Sequence, residues 1–217
     1  MTMFNDSTRD QLKGILNHMV NDVTIALFIK KESCETCEET KSYMEELSSI
    51  TDKLHLKIYD IEADKKMADL YNVTLTPSIV LLDNNDNYKR IKFNGIPAGH
   101  EINSLINSII EVSGKSQDLS DTTMERLNKI NTPVDIKVFV TLGCPHCPGA
   151  VSKAHKLALL NPNISADMIE AQTFNDLSDK FNVSSVPKIV INDKYEFIGD
   201  QPLEVLLSEI EKAQGAA

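Results

Sequence analysis

The chain repeats itself. Tyr71-Asn72-Val73-Thr74-Leu75-Thr76-Pro77-Ser78-Ile79-Val80 aligns on Phe181-Asn182-Val183-Ser184-Ser185-Val186-Pro187-Lys188-Ile189-Val190 at an offset of 110 residues. A cysteine pair precedes each proline at one distance, because Cys34 lies 43 residues before Pro77 and Cys144 lies 43 before Pro187. Cys34-Glu35-Thr36-Cys37 follows the apolar run 25–29, and Cys144-Pro145-His146-Cys147 follows the run 136–140. After each Pro-x-Ile-Val comes a polar turn and an aromatic segment ending in glycine, Ile91–Gly95 and Tyr195–Gly199, where the offset drops to 104. The first hairpin is therefore the longer one. A chain of 217 residues with this period folds as two small domains rather than one large one.

Apolar periodicity gives each half the same order of elements. Leu12, Ile15, Leu16 and Met19 mark an amphipathic helix over 7–19, with Ser7 and Thr8 as candidate caps. A buried strand over 23–30, a helix over 37–49, an alternating strand over 54–61 and a short helix over 64–71 follow. Strands over 78–82 and 89–93 form a hairpin, and a helix over 101–112 closes the half. Ser113-Gly114-Lys115-Ser116-Gln117-Asp118 has turn residues and no apolar period, which sets the expected domains at 1–117 and 118–217. The second half then runs helix 121–130, strand 134–140, cysteine pair, helix to Leu160, strand 164–169, short helix, Pro187, hairpin and final helix 202–213. Strand, helix, strand followed by helix, hairpin, helix is an α/β arrangement on a mixed sheet.

Charge excludes some functions. The formal net charge is -10, with 13 basic against 19 acidic residues up to Asp118 and 9 against 13 beyond it. Neither half carries the basic patch that nucleic acid or an anionic membrane surface requires. No apolar run approaches a membrane span, and the N-terminal 20 residues lack a basic segment followed by an apolar one, so a cytoplasmic location is expected. In a reducing compartment, two Cys-x-x-Cys pairs point to redox or metal chemistry rather than structural cross-links. The pairs are too far apart for a zinc ribbon, although a zinc-binding protein remains a rival reading. His18, His55, His100 and His155 are scattered without ligand spacing.

A strand ending at Cys-x-x-Cys before a helix, with a proline heading a later hairpin, resembles the thioredoxin fold. Two such halves in tandem, each with its own cysteine pair, resemble the protein disulfide oxidoreductases, glutaredoxin-like proteins of archaea and some bacteria. The resemblance implies two tandem thioredoxin-like domains, each a central mixed β-sheet flanked by helices. It implies cis peptide bonds at Pro77 and Pro187, with Thr76 and Val186 free to pair with a substrate backbone. It also implies no cofactor beyond the cysteines, protein disulfides or dithiols as substrates, and a thioredoxin-reductase-like electron donor. The chain departs from thioredoxin in having no Trp, and in placing Phe28 and Val138 where thioredoxins carry a buried aspartate.

The chemistry needs a thiolate, and at an unperturbed pKa near 8.5 only about 3% of a cysteine is ionised at neutral pH. A helix N-terminus after Cys144 would stabilise that anion, and His146 adds a neighbouring cation. Pro145 suits the first helical position. Cys144 is thus the expected nucleophile and Cys147, three residues on, the resolving cysteine. In the first half Glu35, Glu38 and Glu39 oppose a thiolate at Cys34, so Cys144–Cys147 is expected to be the more oxidising pair, receiving electrons from Cys34–Cys37. The alternative is a dedicated relay like the N-terminal part of the flavoprotein that reduces peroxiredoxins. That part normally keeps one active pair, whereas both survive here. With no G-x-G-x-x-G segment for a flavin before Ala217, electrons would come from a separate reductase.

Overall fold

The computed structural model describes residues 2–115 and 118–215. Ser116 and Gln117, at the centre of the expected linker, lie outside the described residues. The chain divides into two units. Among the described residues, the first holds 2–96 and 109–115, and the second holds 97–108 and 118–215.

In the first unit α1 (Asp6–Leu16) is capped by Asn5, whose side-chain oxygen accepts the Thr8 amide at 2.9 Å, rather than by Ser7 or Thr8. β1 (Val23–Ile29) is apolar at nearly every position because it is a centre strand covered on both faces. α2 (Cys37–Ser48) returns the chain to β2 (Leu54–Asp60), which pairs with β1 in parallel from Val23 opposite Leu54 to Ile29 opposite Asp60. α3 (Lys65–Leu70) leads to β3 (Ser78–Leu82), antiparallel to β1, and β4 (Tyr88–Asn94) completes the order β2-β1-β3-β4. Phe28, Tyr71, Val73, Val80 and Leu82 pack as one buried cluster between the sheet and α3.

The second unit repeats this plan. A 3-10 turn at Gly99–Glu101 runs into α4 (Ile102–Val112), which belongs to this unit as far as Ser108, and α5 (Asp121–Leu127) follows, three residues shorter than its apolar period suggested. β5 (Val134–Val140) is the centre strand, α6 (Cys147–Leu160) the helix after the cysteine pair, and β6 (Ile164–Glu170) pairs with β5 in parallel. α7 (Asn175–Lys180), β7 (Lys188–Ile191), β8 (Tyr195–Ile198) and α8 (Leu203–Gly215) follow, in the sheet order β6-β5-β7-β8. Phe139, Ile169, Phe181 and Val190 form the counterpart cluster. Each unit is an α/β mixed sheet of the thioredoxin type.

Asn72 and Asn182, matched in the repeat, have a backbone role. Their φ angles are 53° and 49°, the left-handed conformation that ends a helix, and asparagine tolerates it better than most side chains. The Asn72 amide donates to the Asp69 carbonyl and the Asn182 amide to the Asp179 carbonyl. The repeated asparagine thus turns α3 and α7 back toward the proline of each half.

Candidate functional site

Both cysteine pairs are disulfides with Cα atoms 5.5 Å apart. In each pair the first cysteine is half-buried, while the second is enclosed, Cys37 at 2% and Cys147 at 0% exposure. The depth follows from helical position. Cys37 and Cys147 open α2 and α6 on the faces turned to the sheet, whereas Cys34 and Cys144 lie in the preceding loops.

The Thr76–Pro77 and Val186–Pro187 peptide bonds are cis. The Val186 carbonyl oxygen lies 3.8 Å from Cys144 Sγ, which brings the second-half proline loop and cysteine loop together. The Gly199 amide donates to the Pro187 carbonyl at 2.8 Å and the Gly95 amide to the Pro77 carbonyl at 2.9 Å, so each hairpin end is tied to its proline. His146 stands at the N-cap of α6 with an exposed ring that does not cap the helix. Pro145 precedes the helix rather than opening it. Pro148, buried in the first turn, takes the place where a missing amide hydrogen costs nothing.

One acidic residue was not legible as a site residue. Glu101 is fully buried, and the Ser104 hydroxyl donates to its Oε2. Burial pushes its pKa up to about 7, against a smaller opposing effect of the Ser104 hydrogen bond. Its neighbours hold it behind the Cys144 loop: the His100 amide donates to the Leu142 carbonyl at 3.0 Å, and Gly99 at φ 58° packs on the same carbonyl. Farther along, the Ser108 hydroxyl and His155 Nδ1 are 3.1 Å apart, joining α4 to α6 within this unit. A buried carboxyl is therefore present in the second unit although Val138 occupies the thioredoxin aspartate position.

The first site has a different rim. The Lys30 amide donates to Cys37 Sγ at 3.5 Å, and a cleft of about 460 Å³ is walled by residues that precede Cys34 in the chain, Lys30, Lys31, Glu32 and Ser33, together with Asp60 and Glu62. Lys30 pairs with Glu62 at 2.8 Å, which raises the lysine pKa. The Ala63 and Glu62 amides both donate to Asp60 and hold its carboxyl below the usual range. Among the described residues, no three His, Cys, Asp or Glu side chains converge as a metal set. No helix there is long and apolar enough to cross a membrane.

Known proteins share this fold. The thioredoxin domain family matches residues 134–212. A protein disulfide oxidoreductase from Aeropyrum pernix superposes with a TM-score of 0.89 at 32% identity, covering 98% of this chain and 94% of that one. The chain belongs to the thioredoxin-fold disulfide oxidoreductase family. Family membership accounts for the tandem plan, since a structure of the alkylhydroperoxide reductase protein AhpF from Enterococcus faecalis matches equally well. Its TM-score is 0.90 at 30% identity, covering 95% of this chain and 99% of that one. The corresponding alkyl hydroperoxide reductase protein of Staphylococcus aureus is 26% identical over 208 residues, or 96% of this chain. The chain spans about two fifths of that relative's length, 38%.

Proposed function

We propose that this chain is a thiol–disulfide oxidoreductase that exchanges its Cys-x-x-Cys dithiols with protein disulfides. Cys144 is the attacking group and Cys147 the resolving one. In the reducing direction, the Cys144 thiolate attacks one sulfur of a substrate disulfide. The other substrate sulfur leaves as a thiolate and a mixed disulfide forms. Cys147, once deprotonated, attacks Cys144 Sγ, the second substrate sulfur leaves, and two electrons have passed from the protein pair to the substrate. To Glu101, a buried carboxyl at the end of the 3-10 turn that packs against α6, we assign the role of taking the proton from Cys147.

The observation that carries this reading is the shared arrangement of depth and proline loop. A partly exposed sulfur faces the Val186 carbonyl, with an enclosed sulfur three residues later. Val186 and Pro187, and Thr76 and Pro77 in the first half, are the backbone edge on which a substrate strand would lie, with His146 at its rim. We assign one cysteine pair to each of two domains, 1–117 and 118–217. A cytoplasmic protein of this kind needs no bound cofactor and takes electrons from a thioredoxin-reductase-like donor.

A relay serving a peroxiredoxin-type partner is the second reading. It is favoured by the 96% coverage of this chain in its match to the Staphylococcus aureus alkyl hydroperoxide reductase protein. Insulin disulfide reduction with dithiothreitol as donor separates the two readings. Turnover by the unmodified protein, lost in Cys144→Ser and retained in Cys34→Ser, supports general exchange at Cys144. Absence of turnover in every form would leave the relay.

A further inference from the structure

In the repeat, Gly149 stands where the first half has Glu39, in the first turn of the helix after the cysteine pair. α2 carries Glu38 and Glu39 in its first turn, whereas α6 has no acidic residue there. The structure supplies one from fifty residues away. A Cβ placed on Gly149 would lie 2.8 Å from Asp200 Cγ and overlap Oδ2, so the carboxylate rests directly on the glycine. Gly199, at φ 96° with its amide on the Pro187 carbonyl, turns the chain so that Asp200 reaches this spot. Lys153, one turn along α6, pairs with Asp200 at 2.5 Å, and both side chains are only about a quarter to a third exposed, at 26% and 30%.

We propose that Asp200 is a positioning residue that sets the reactivity of the Cys144 thiolate from the first turn of α6, admitted there by Gly149 and balanced by Lys153. The physical basis is that a helix N-terminus stabilises nearby anions through its free amides and dipole. A carboxylate already held against the first turn takes up part of that potential and repels a second anion. Other charged or titratable groups stand on the neighbouring elements. His146 is exposed at the N-cap, His100 and Glu101 lie behind Leu142, and Lys188 is engaged by the Phe181 carbonyl and Glu196. Asp200 is the acid that rests on the helix turn itself. Charges counted along the sequence lead to the expectation that Cys144–Cys147 is the more oxidising pair; Asp200 gives the second site its own opposing anion and narrows that difference. This rests on the assignment of Cys144 as the reactive thiol.

The test uses the full chain carrying Cys34→Ser and Cys37→Ser, so that one pair remains. Thiolate absorbance against pH reports Cys144. Equilibration with glutathione, in which the protein disulfide and two glutathione thiols give the dithiol and glutathione disulfide, reports the potential. Asp200→Asn is expected to lower the Cys144 pKa and shift the equilibrium about threefold toward the dithiol, or about 15 mV. Lys153→Gln, which leaves the carboxylate uncompensated, should shift both in the opposite direction. Gly149→Ala keeps every charge yet must displace the carboxylate, so it should act like Asp200→Asn and add nothing in that background. Asp200→Asn and Lys153→Gln moving both quantities in one direction, or neither of them, would overturn the proposal. These shifts are read without any protein substrate, so a failure of insulin turnover would count against the substrate reading alone.

Discussion

The Ser104 hydroxyl donates to Glu101 Oε2, while Oε1 of the same carboxyl has no protein partner among the described residues. A carboxylate so placed is under-satisfied when ionised, which is why burial lifts its pKa from 4.5 to about 7. Between those values the folded chain holds a proton that the unfolded chain has released. Stability therefore falls as pH rises through this window, and the penalty is complete above about pH 7. Glu101→Gln should remove this slope. Urea unfolding at about pH 5 and about pH 8 should show the variant gaining on the parent by about 3 kcal/mol at the higher pH. If Glu101 also serves Cys147, resolution of a mixed disulfide should slow in the same variant.

Gly99 cannot carry a side chain without moving the Cys144 loop. Its φ is 58°, and an added Cβ would lie 3.1 Å from the Leu142 carbonyl carbon and overlap the oxygen. Gly99→Ala should cost about 2 kcal/mol or more in urea unfolding and reduce exchange at Cys144–Cys147. Exchange at Cys34–Cys37, read in a Cys144→Ser background, should be unchanged.

Asn182 is held at φ 49°. Asn182→Ala should destabilise the chain by about 1 kcal/mol, and Asn182→Gly should be close to neutral, because glycine reaches this backbone region freely. Thermal unfolding of the two variants decides it. Equal losses would indicate that the asparagine side chain matters more than its backbone angle.

After reduction, iodoacetamide should modify Cys34 and Cys144 well before Cys37 and Cys147, since the second cysteine of each pair is 2% or less exposed. Peptide mass spectrometry of a short time course reads the order directly.

Much of this was legible in the sequence because it is local or repeated. The centre strands at 23–29 and 134–140 show as apolar runs, and the equal distances from Cys34 to Pro77 and from Cys144 to Pro187 mark the two loops that flank each pair. Glu101 and Asp200 could not be found that way. Their surroundings are built by residues about 40 to 50 positions distant, and each looks like an ordinary surface acid one or two residues after a glycine, Gly199 or Gly99. The one available signal was the pattern of mismatches within the repeat, where Gly149 replaces Glu39. Asn5 in place of Ser7 or Thr8 as the cap of α1 is a smaller miss of the same kind, because several capping residues compete within one turn.

The unequal depth of the two sulfurs in each pair also fixes an order of events. A large molecule can join this protein only through the outer sulfur, so every covalent complex has one orientation, and only the inner sulfur can end it. The pair therefore works like a latch with its release on the inside. A partner is held for as long as the inner thiol stays protonated, and substituting Cys147 alone should turn a brief encounter into a trapped complex that can be isolated and identified.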